Sequence, residues 1–411
     1  MAHPHTLLVV LFVAAIAPLF NELPIRLRLP LVVLELLFGV AIGPHVLDLV
    51  ETGGALRTLS ALGLSFLFFL AGLDLEFSKL RGPPLQRGLL GWGLSIALAL
   101  ALTHALQAAG LVSDPVLVAV ALSTTAIGTL LPILREGGEL ETDFGRFVLG
   151  AGAIGEFGPI VLFSLIVAGE QGVAVRSGLL ATFVFIALAC AVVALRLRET
   201  RVIEVLARTL QSTSQLPVRL SMFLLGALVV LADELGLDIL LGAFAAGSLV
   251  GLIARGPGAA PFRQKLDALG FGFLIPIFFV MSGAQIDLPA LFAGTRSLVR
   301  VPLFVALLLV VRGAPALLYR RELAPAERRL LALFSSTTLP LIVVITEVGK
   351  ATGRMLPENA AALVGAGILS VLLFPLVALS VRKRDQQQGA IDAAPVAPVP
   401  AERGAARDVE P

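Results

Sequence analysis

Residues 145–168, GRFVLGAGAIGEFGPIVLFSLIVA, form an apolar stretch with a single carboxylate, Glu156, near its middle. About 20 apolar residues are enough for a helix to cross the hydrocarbon core of a bilayer. A charged side chain at that depth costs at least about 2.5–3.5 kcal/mol, and such residues usually mark ion or proton paths. The stretch therefore predicts a transmembrane helix with an ion-binding acid. A protonated glutamate with a purely structural hydrogen bond is the alternative.

Small and helix-breaking residues surround this acid. Gly150, Gly152, Gly155 and Gly158 allow a neighbouring backbone to approach it closely. Pro159 has no N–H group, which frees a backbone carbonyl one turn earlier, beside the acid. We therefore predict that this helix carries a site, with a second helix packed against it.

The composition of the whole chain agrees with a membrane protein. Of 411 residues, 57% are hydrophobic and only 15% are charged, whereas about 25% is typical of soluble domains. The single cysteine and the four scattered histidines predict neither disulfides nor a structural metal site. There is no P-loop and no dinucleotide fingerprint. We therefore expect a polytopic all-α membrane protein in the lipid bilayer that is not an enzyme, needs no cofactor and binds no nucleic acid.

Apolar runs of spanning length predict about thirteen transmembrane helices within residues 1–384. The first run lacks a basic N-terminal flank, which favours a span over its alternative, a signal peptide. Residues 385–411 are rich in Ala, Pro and charge and predict a disordered tail. The predicted spans are residues 6–22, 30–48, 57–74, 86–110, 115–135, 146–168, 176–197, 217–233, 238–253, 266–286, 297–319, 328–348 and 359–381.

The basic residues predict the orientation of the chain. Of the 31 Lys and Arg residues, 22 follow odd-numbered spans and six follow even-numbered spans. Because Lys and Arg are enriched on the cytoplasmic side of membrane proteins, this asymmetry predicts an external N-terminus and a cytoplasmic C-terminus. The expected location is the cell (inner) membrane.

The two halves of the chain resemble one another at a spacing of about 210 residues. Residues 67–76, LFFLAGLDLE, resemble residues 277–287, IFFVMSGAQID, and LSTTAIGT at 122–129 resembles FSSTTLPL at 334–341. The two copies lie seven predicted spans apart, which gives them opposite directions across the membrane. Inverted repeats of this kind are typical of secondary transporters, whose substrate sites form where broken helices meet near the midplane.

The two Ser/Thr-rich segments predict the breaks. Hydroxyl groups can satisfy backbone groups locally, and Gly and Pro nearby disfavour continuous helix. Unwound backbone would expose carbonyl oxygens to a dehydrated cation. An ordinary Ser/Thr packing face is the alternative. The residues predicted to form the crossing are Ser123, Thr124, Thr125, Gly128, Ser336, Thr337, Thr338 and Pro340, with the first three binding the ion together with Glu156.

Arg312 is a second charge inside a predicted span. It lies about 10 Å from the cytoplasmic end of the span, and its guanidinium remains charged. We predict a buried counter-charge, with snorkelling to the interface as the alternative. Asp74 ends another span on the same side, so an Arg312–Asp74 ion pair is geometrically feasible.

Motifs over nearly the whole membrane region resemble the monovalent cation:proton antiporter family of Kef and Nap type. They include PLVVLELLFGVAIGP (30–44), FLFFLAGLDLEF (66–77) and ALSTTAIGTLLPILRE (121–136), followed by LGAFAAGSLVG (241–251) and IPIFFVMSGAQIDL (275–288). Two residues qualify the resemblance. Gly155-Glu156 stands where the family usually has Asp-Asp or Asn-Asp, and Arg312 stands where a lysine is common, as in electroneutral members.

The resemblance implies thirteen spans in inverted repeats, a homodimer, and a core domain that moves against a dimerisation domain. We assign about 57–168 and 266–381 to the core and about 6–50 and 176–253 to the scaffold. The resemblance also implies that Glu156 corresponds to the family's ion- and proton-binding carboxylate. We expect no Kef-type cytoplasmic nucleotide-binding domain.

These observations predict one-for-one exchange of a monovalent cation (Na⁺, K⁺ or Li⁺) for a proton, and a role in pH homeostasis. Glu156 would bind either the cation or the proton, and Arg312 would keep its charge. An organic-anion or bile-acid-type sodium symporter shares the inverted-repeat plan and is one alternative. A channel-like protein or a membrane sensor is another.

Overall fold

The computed structural model describes residues 4–22, 30–51, 53–74, 82–127, 130, 134, 138–139, 142–167, 173–197, 208–254, 259–286, 289 and 295–387. Regular structure in these ranges is helical, and they contain no strand. The helices are α1 (Pro4–Glu22), α2 (Leu31–Ile42), α3 (Ala55–Asp74), α4 (Pro83–Ala108), α5 (Pro115–Leu122), α6 (Asp143–Val167), α7 (Val173–Leu197), α8 (Leu216–Glu234), α9 (Ile239–Ile253), α10 (Ala259–Ala284), α11 (Thr295–Gly313), α12 (Pro325–Ser335), α13 (Pro340–Ala351) and α14 (Pro357–Gln387).

Most of these helices have the length and hydropathy of membrane spans. Within the described ranges, eight helical segments are long and apolar enough to cross a bilayer, and shorter apolar helices accompany them. The expected polytopic helical architecture is confirmed. The figure of thirteen spans remains a prediction, because several described helices are shorter than a bilayer requires.

Two chain segments are interrupted where the Ser/Thr-rich sequences predicted breaks. Helix α5 ends at Leu122, and residues 123–126 leave the helical path. Helix α12 ends at Ser335, and α13 begins only at Pro340. The hydroxyls add side-chain hydrogen bonds to carbonyls of the last turn: Thr124 Oγ1 donates to Ala121 O at 2.7 Å. Ser336 Oγ similarly donates to Ala332 O at 2.7 Å. Local side-chain bonds of this kind stabilise the ends of the broken helices.

The first packing group, here called the crossing group, comprises α4–α6 and α11–α14. Helices α4 and α6 approach closely because both carry glycine at their contact. A Cβ atom on Gly88 would lie 2.7 Å from Gly150 O, and the reciprocal atom on Gly150 would lie 2.7 Å from Pro84 O. Small residues at helix contacts give close packing in membranes, so α4 supports the helix that carries Glu156.

The second packing group, here called the scaffold group, comprises α1–α3 and α8–α10. Helices α3 and α9 meet at a seam of glycines packed on backbone. A Cβ atom on Gly72 or Gly247 would overlap a carbonyl oxygen of the facing helix, and one on Gly251 would lie 2.8 Å from Leu73 O. Helix α10 packs on α2 in the same manner, through Gly39 and Gly283.

This packing groups the helices differently from the expected division of the chain into core and scaffold, which stays a prediction. The predicted core, 57–168 and 266–381, includes α3 and α10, whereas both of these helices pack with α2 and α9 in the scaffold group. The physical reason is the glycine seam, which fixes α3 to α9 over much of its length. The repeat pattern in the sequence identified α3 and α10 as counterparts but contained no information about their neighbours.

Candidate functional site

The two interrupted segments cross one another in the buried interior of the crossing group. Ala126 N donates to Thr337 O at 2.9 Å, and the hydroxyls of Thr124 and Thr338 are 2.6 Å apart. Thr125 Oγ1 also donates to Ser335 O. These residues are buried, so each hydrogen bond satisfies polar groups that water does not reach. The crossing is therefore a buried polar cluster surrounded by apolar helices.

Pro159 has the effect that its position in the sequence predicts. An intact helix would have residue 159 donate to the carbonyl of residue 155, but proline has no N–H. In the structure, Gly155 O instead accepts a hydrogen bond from Thr125 N at 2.9 Å. The prediction of a freed carbonyl beside the acid is confirmed. This bond joins α6 to the first break and sets the position of the next residue, Glu156.

Glu156 faces the crossing. Its Oε2 accepts a hydrogen bond from Ile127 N at 3.2 Å, where the chain resumes helical conformation after the first break. The residue is 8% exposed, and within the described residues no basic side chain forms a salt bridge with it. A hydrogen bond from a backbone N–H to a carboxylate is charge-assisted and stronger than one between neutral groups. The side chain therefore has a supported geometry and keeps acceptor capacity free.

The side chain of Arg312, from α11, lies at the C-terminal end of α12. Its guanidinium, 3% exposed, donates from Nε to Thr125 Oγ1 at 2.9 Å, from Nη1 to Ser95 Oγ at 3.0 Å and from Nη2 to Ala151 O at 3.2 Å. Nε also lies 3.4 Å from Ser335 O, the last carbonyl of α12. A cation is favoured at a helix C-terminus by the partial negative charge there. The expectation of a buried Arg312 is confirmed, and snorkelling is not observed.

The structure corrects the expected Arg312–Asp74 ion pair. Asp74 lies at the end of α3, about one third exposed, and Arg263 Nη2 is 2.8 Å from its Oδ1. Arg312 instead donates its described hydrogen bonds to uncharged oxygens of the crossing group. The two residues belong to different packing groups, because the glycine seam holds α3 to α9.

Gly155 makes room for the guanidinium. A Cβ atom on Gly155 would overlap Arg312 Nη2 and lie 2.8 Å from Thr125 Oγ1. An acid or amide at this position, as in the family pattern, would need the guanidinium to move. The glycine and the arginine therefore form one steric unit in this chain. The sequence showed the missing acid but not its steric partner.

The remaining site predictions have mixed outcomes. Ser123 caps α5 through Val120 O at 2.9 Å, and Pro340 begins α13. Gly128 lies outside the described residues. Sequence reasoning missed two serines: Ser95, which contacts Arg312, and Ser370, which donates to Thr338 O at 2.7 Å and accepts from Thr338 N at 3.0 Å. Isolated serines in apolar helices were the available signal, but many of them only bond to their own helix.

Comparison with known proteins agrees with this architecture. Residues 10–379 match the family described as "Sodium/hydrogen exchanger, transmembrane". The chain belongs to this family. The structure of the sodium proton antiporter MjNhaP1 from Methanocaldococcus jannaschii, solved at pH 8, superimposes with a TM-score of 0.65 over 94% of this chain and 97% of that one. At 15% sequence identity, that likeness shows the fold alone.

Sequence relatives within the sodium/hydrogen exchanger family are distant. The putative Na⁺/H⁺ antiporter YjbQ of Bacillus subtilis (strain 168) is 28% identical over 94% of this chain, and the match covers 65% of that protein. The probable Na⁺/H⁺ antiporter 3 of M. jannaschii is 23% identical over 86% of this chain and 90% of that protein. This chain thus spans less than two thirds of YjbQ's length, and 46% or less of the length of three plant cation/H⁺ antiporters that it matches.

Proposed function

We propose that this protein exchanges a monovalent cation for a proton across the cell membrane, with Glu156 as the shared binding group. The observation that carries the proposal is the position of Glu156. It is a buried carboxylate at the crossing of two interrupted helices, bonded to Ile127 N and, among described residues, without a salt-bridge partner. Such a group needs a proton or a cation, because an isolated charge is costly in a membrane interior.

Competition for this one carboxylate would couple the two ions. When Glu156 is protonated a cation gains no charge partner there, and when a cation is bound the proton is displaced. Arg312 keeps its charge throughout and its hydrogen bonds hold the crossing together. Since only one group changes its occupant, exchange is one-for-one and electroneutral. Ser123, Thr124 and Thr125 supply the neighbouring oxygens, with Na⁺ as the proposed main substrate.

The two packing groups support alternating access by movement of one against the other. Their described contacts near the site are sparse and include the ring pair Phe157–Phe244, with centroids 5.1 Å apart. The glycine seams hold the scaffold group together, so the crossing group can move as a body, like an elevator. A homodimer built through the scaffold, with the N-terminus outside and the C-terminus in the cytoplasm, completes the proposal.

Proteoliposomes that contain a pH-sensitive dye test the exchange. With a pH gradient imposed, addition of Na⁺, K⁺ or Li⁺ should dissipate it for the wild type, and choline should not. Clamping the membrane potential with valinomycin and K⁺ should leave the Na⁺-driven rate unchanged if exchange is electroneutral. A rate that follows the potential would contradict the one-for-one stoichiometry.

Glu156→Gln should abolish the cation-driven signal, because the amide has nearly the same shape but cannot be charged. Glu156→Asp should retain a weakened signal, since the charge survives at a shifted position. Glu234→Gln, at an exposed helix end, is the matched control and should behave like the wild type. A Glu156→Gln protein with normal exchange would refute the assignment.

A further inference from the structure

A cavity lies between the two packing groups, away from the crossing. It lies between α10 of the scaffold group and α13 and α14 of the crossing group, and its volume of about 10 Å³ is room for one water molecule or one ion. Helix α13 is the second half of the interrupted segment, and the cavity lies toward its C-terminal end, on the side that the charge pattern predicts to be external. Its polar lining comprises Ser282, Gln285, Thr346, Glu347 and Lys350.

Two oxygens of this lining are buried without a hydrogen-bond partner in the described part of the chain. They are Oε1 of Glu347 and Oγ of Ser282, two groups that lie next to each other without a well-formed hydrogen bond, and Ser282 as a whole is only 3% exposed. Leaving buried polar atoms without a hydrogen bond is costly. We therefore expect a water molecule or an ion to occupy the cavity and contact these two oxygens. A carboxylate oxygen and a hydroxyl oxygen on facing helices are suitable ligands for a hard cation.

The nearby lysine does not neutralise this carboxylate by an ion pair. Lys350 lies one turn after Glu347 on α13, but its Nζ is 3.4 Å from Gln285 O across the cavity. Among the described residues, no salt bridge involves Glu347. Lys350 and Arg57 act on this carboxylate only from a distance, so its oxygens remain open to a direct contact with a mobile cation.

The repeat gives this cavity a counterpart at the opposite face. Ser282 and Gln285 lie in IFFVMSGAQID, which resembles LFFLAGLDLE at 67–76. In α3 that motif ends with Asp74 at the face that the charge pattern predicts to be cytoplasmic. Inverted repeats make the inner and outer routes of a transporter structurally equivalent. By this symmetry, the C-terminal end of α10 lies on the outer ion route, and the C-terminal end of α3 lies on the inner ion route.

We propose that this cavity is an outer binding station for the transported monovalent cation, with Glu347 and Ser282 as its ligands. A cation from outside would bind there before it reaches Glu156, and a leaving cation would pass in the opposite order. The station rests on the proposed exchange and adds to it a sidedness: Glu347 serves the outer route, while Glu156 serves both.

Right-side-out and everted membrane vesicles separate the two sides. Glu347→Gln should raise the KM for Na⁺ at the outer face at least about fivefold, because the local negative charge that concentrates cations is lost. The KM at the inner face should stay within about twofold of wild type. Ser282→Ala, a smaller change, should shift the outer KM in the same direction. Glu234→Gln, an exposed carboxylate at the predicted outer face, should leave both constants unchanged.

The outcomes distinguish the station from the exchange itself. A wild-type protein without cation–proton exchange would overturn the proposed function. A wild type that exchanges normally, while Glu347→Gln changes both KM values equally or neither, would overturn the station alone. Elution of each variant as the wild-type species on size-exclusion chromatography verifies that the proteins compared are folded.

Discussion

The crossing and the glycine seam are both tight helix contacts, but opposite kinds of interaction form them. At the crossing, hydroxyls, backbone amides and a guanidinium satisfy the groups that the interrupted helices leave free. At the seam between α3 and α9, Gly72, Gly247 and Gly251 bring intact helices against each other's carbonyls. The first contact stabilises charged groups in the membrane interior, and the second fixes the relative position of two helices.

This contrast explains why Glu156 and Arg312 lie beside the interrupted segments. Interrupted segments leave backbone amides and carbonyls free: Glu156 accepts from Ile127 N after the first break, and Arg312 lies against Ser335 O at the end of α12. The seam between α3 and α9 instead brings glycines against backbone carbonyls of intact helices. Substitutions at the two contacts should consequently fail in different ways.

The largest effect is expected for Arg312→Ala at the crossing. The change removes the guanidinium's hydrogen bonds to Thr125 Oγ1, Ser95 Oγ and Ala151 O, and hydrogen bonds to charged groups contribute about 1.5–3 kcal/mol each. We expect destabilisation by at least about 3 kcal/mol and loss of exchange. Thermal unfolding in detergent measures the first and the liposome assay the second. Arg312→Lys keeps the charge but not the planar fork and should fall between. An unchanged melting temperature for Arg312→Ala would show that the crossing does not need the cation.

Gly247→Ala tests the seam. The added Cβ would overlap Phe69 O, a backbone atom that cannot rotate away, and overpacking typically costs about 1–3 kcal/mol. The melting temperature should fall while the ion affinity of the folded fraction stays normal. Gly226→Ala on α8, where a Cβ meets nothing within 4 Å, is the matched control. Equal melting temperatures for the two variants would contradict the close packing of the seam.

Gly155→Ala asks whether the glycine and Arg312 are coupled. The new methyl group would displace Nη2, a flexible side-chain end, so the expected loss of stability is smaller, about 1 kcal/mol. Exchange should nevertheless slow several-fold, because Arg312 also bonds to Thr125 beside the ion site. In the Arg312→Ala background the same substitution should have a smaller effect, because only the contact with Thr125 Oγ1 remains. Full additivity of the two changes would rule out the steric unit.

The smallest effect concerns Asp238, where the two groups touch. Asp238 caps α9 through Leu240 N at 2.9 Å, and its own N donates to Ser164 Oγ of α6 at 2.8 Å. Burial raises the pKa of its carboxyl from 3.8 to about 6, against the lowering effect of the Leu240 bond. The folded state therefore binds the proton more tightly than the unfolded chain. This contribution to stability is complete below the unfolded pKa and is lost as pH rises through about 6.

Asp238→Asn removes this proton uptake and keeps an acceptor for Leu240 N. Between the two pKa values, the melting temperature of the variant should change less with pH than that of the wild type. Parallel curves for the two proteins would show that Asp238 does not titrate in this range.

The sequence by itself determined the chemistry of this protein. Its hydropathy predicted the helical membrane fold, and the Ser/Thr-rich segments predicted where two helices are interrupted. Glu156 was recognisable as an isolated acid, and Pro159 predicted the free carbonyl to which Thr125 N donates. These are local properties, since a missing donor or a hydroxyl acts on the same turn of chain. The tertiary structure alone decided the partners: Ser95 for Arg312, Arg263 for Asp74, Ser370 for Thr338, and α9 for α3. Each of these contacts joins residues far apart in the chain, and in a membrane many apolar helix faces could pack equally well, so only their three-dimensional fit selects among them.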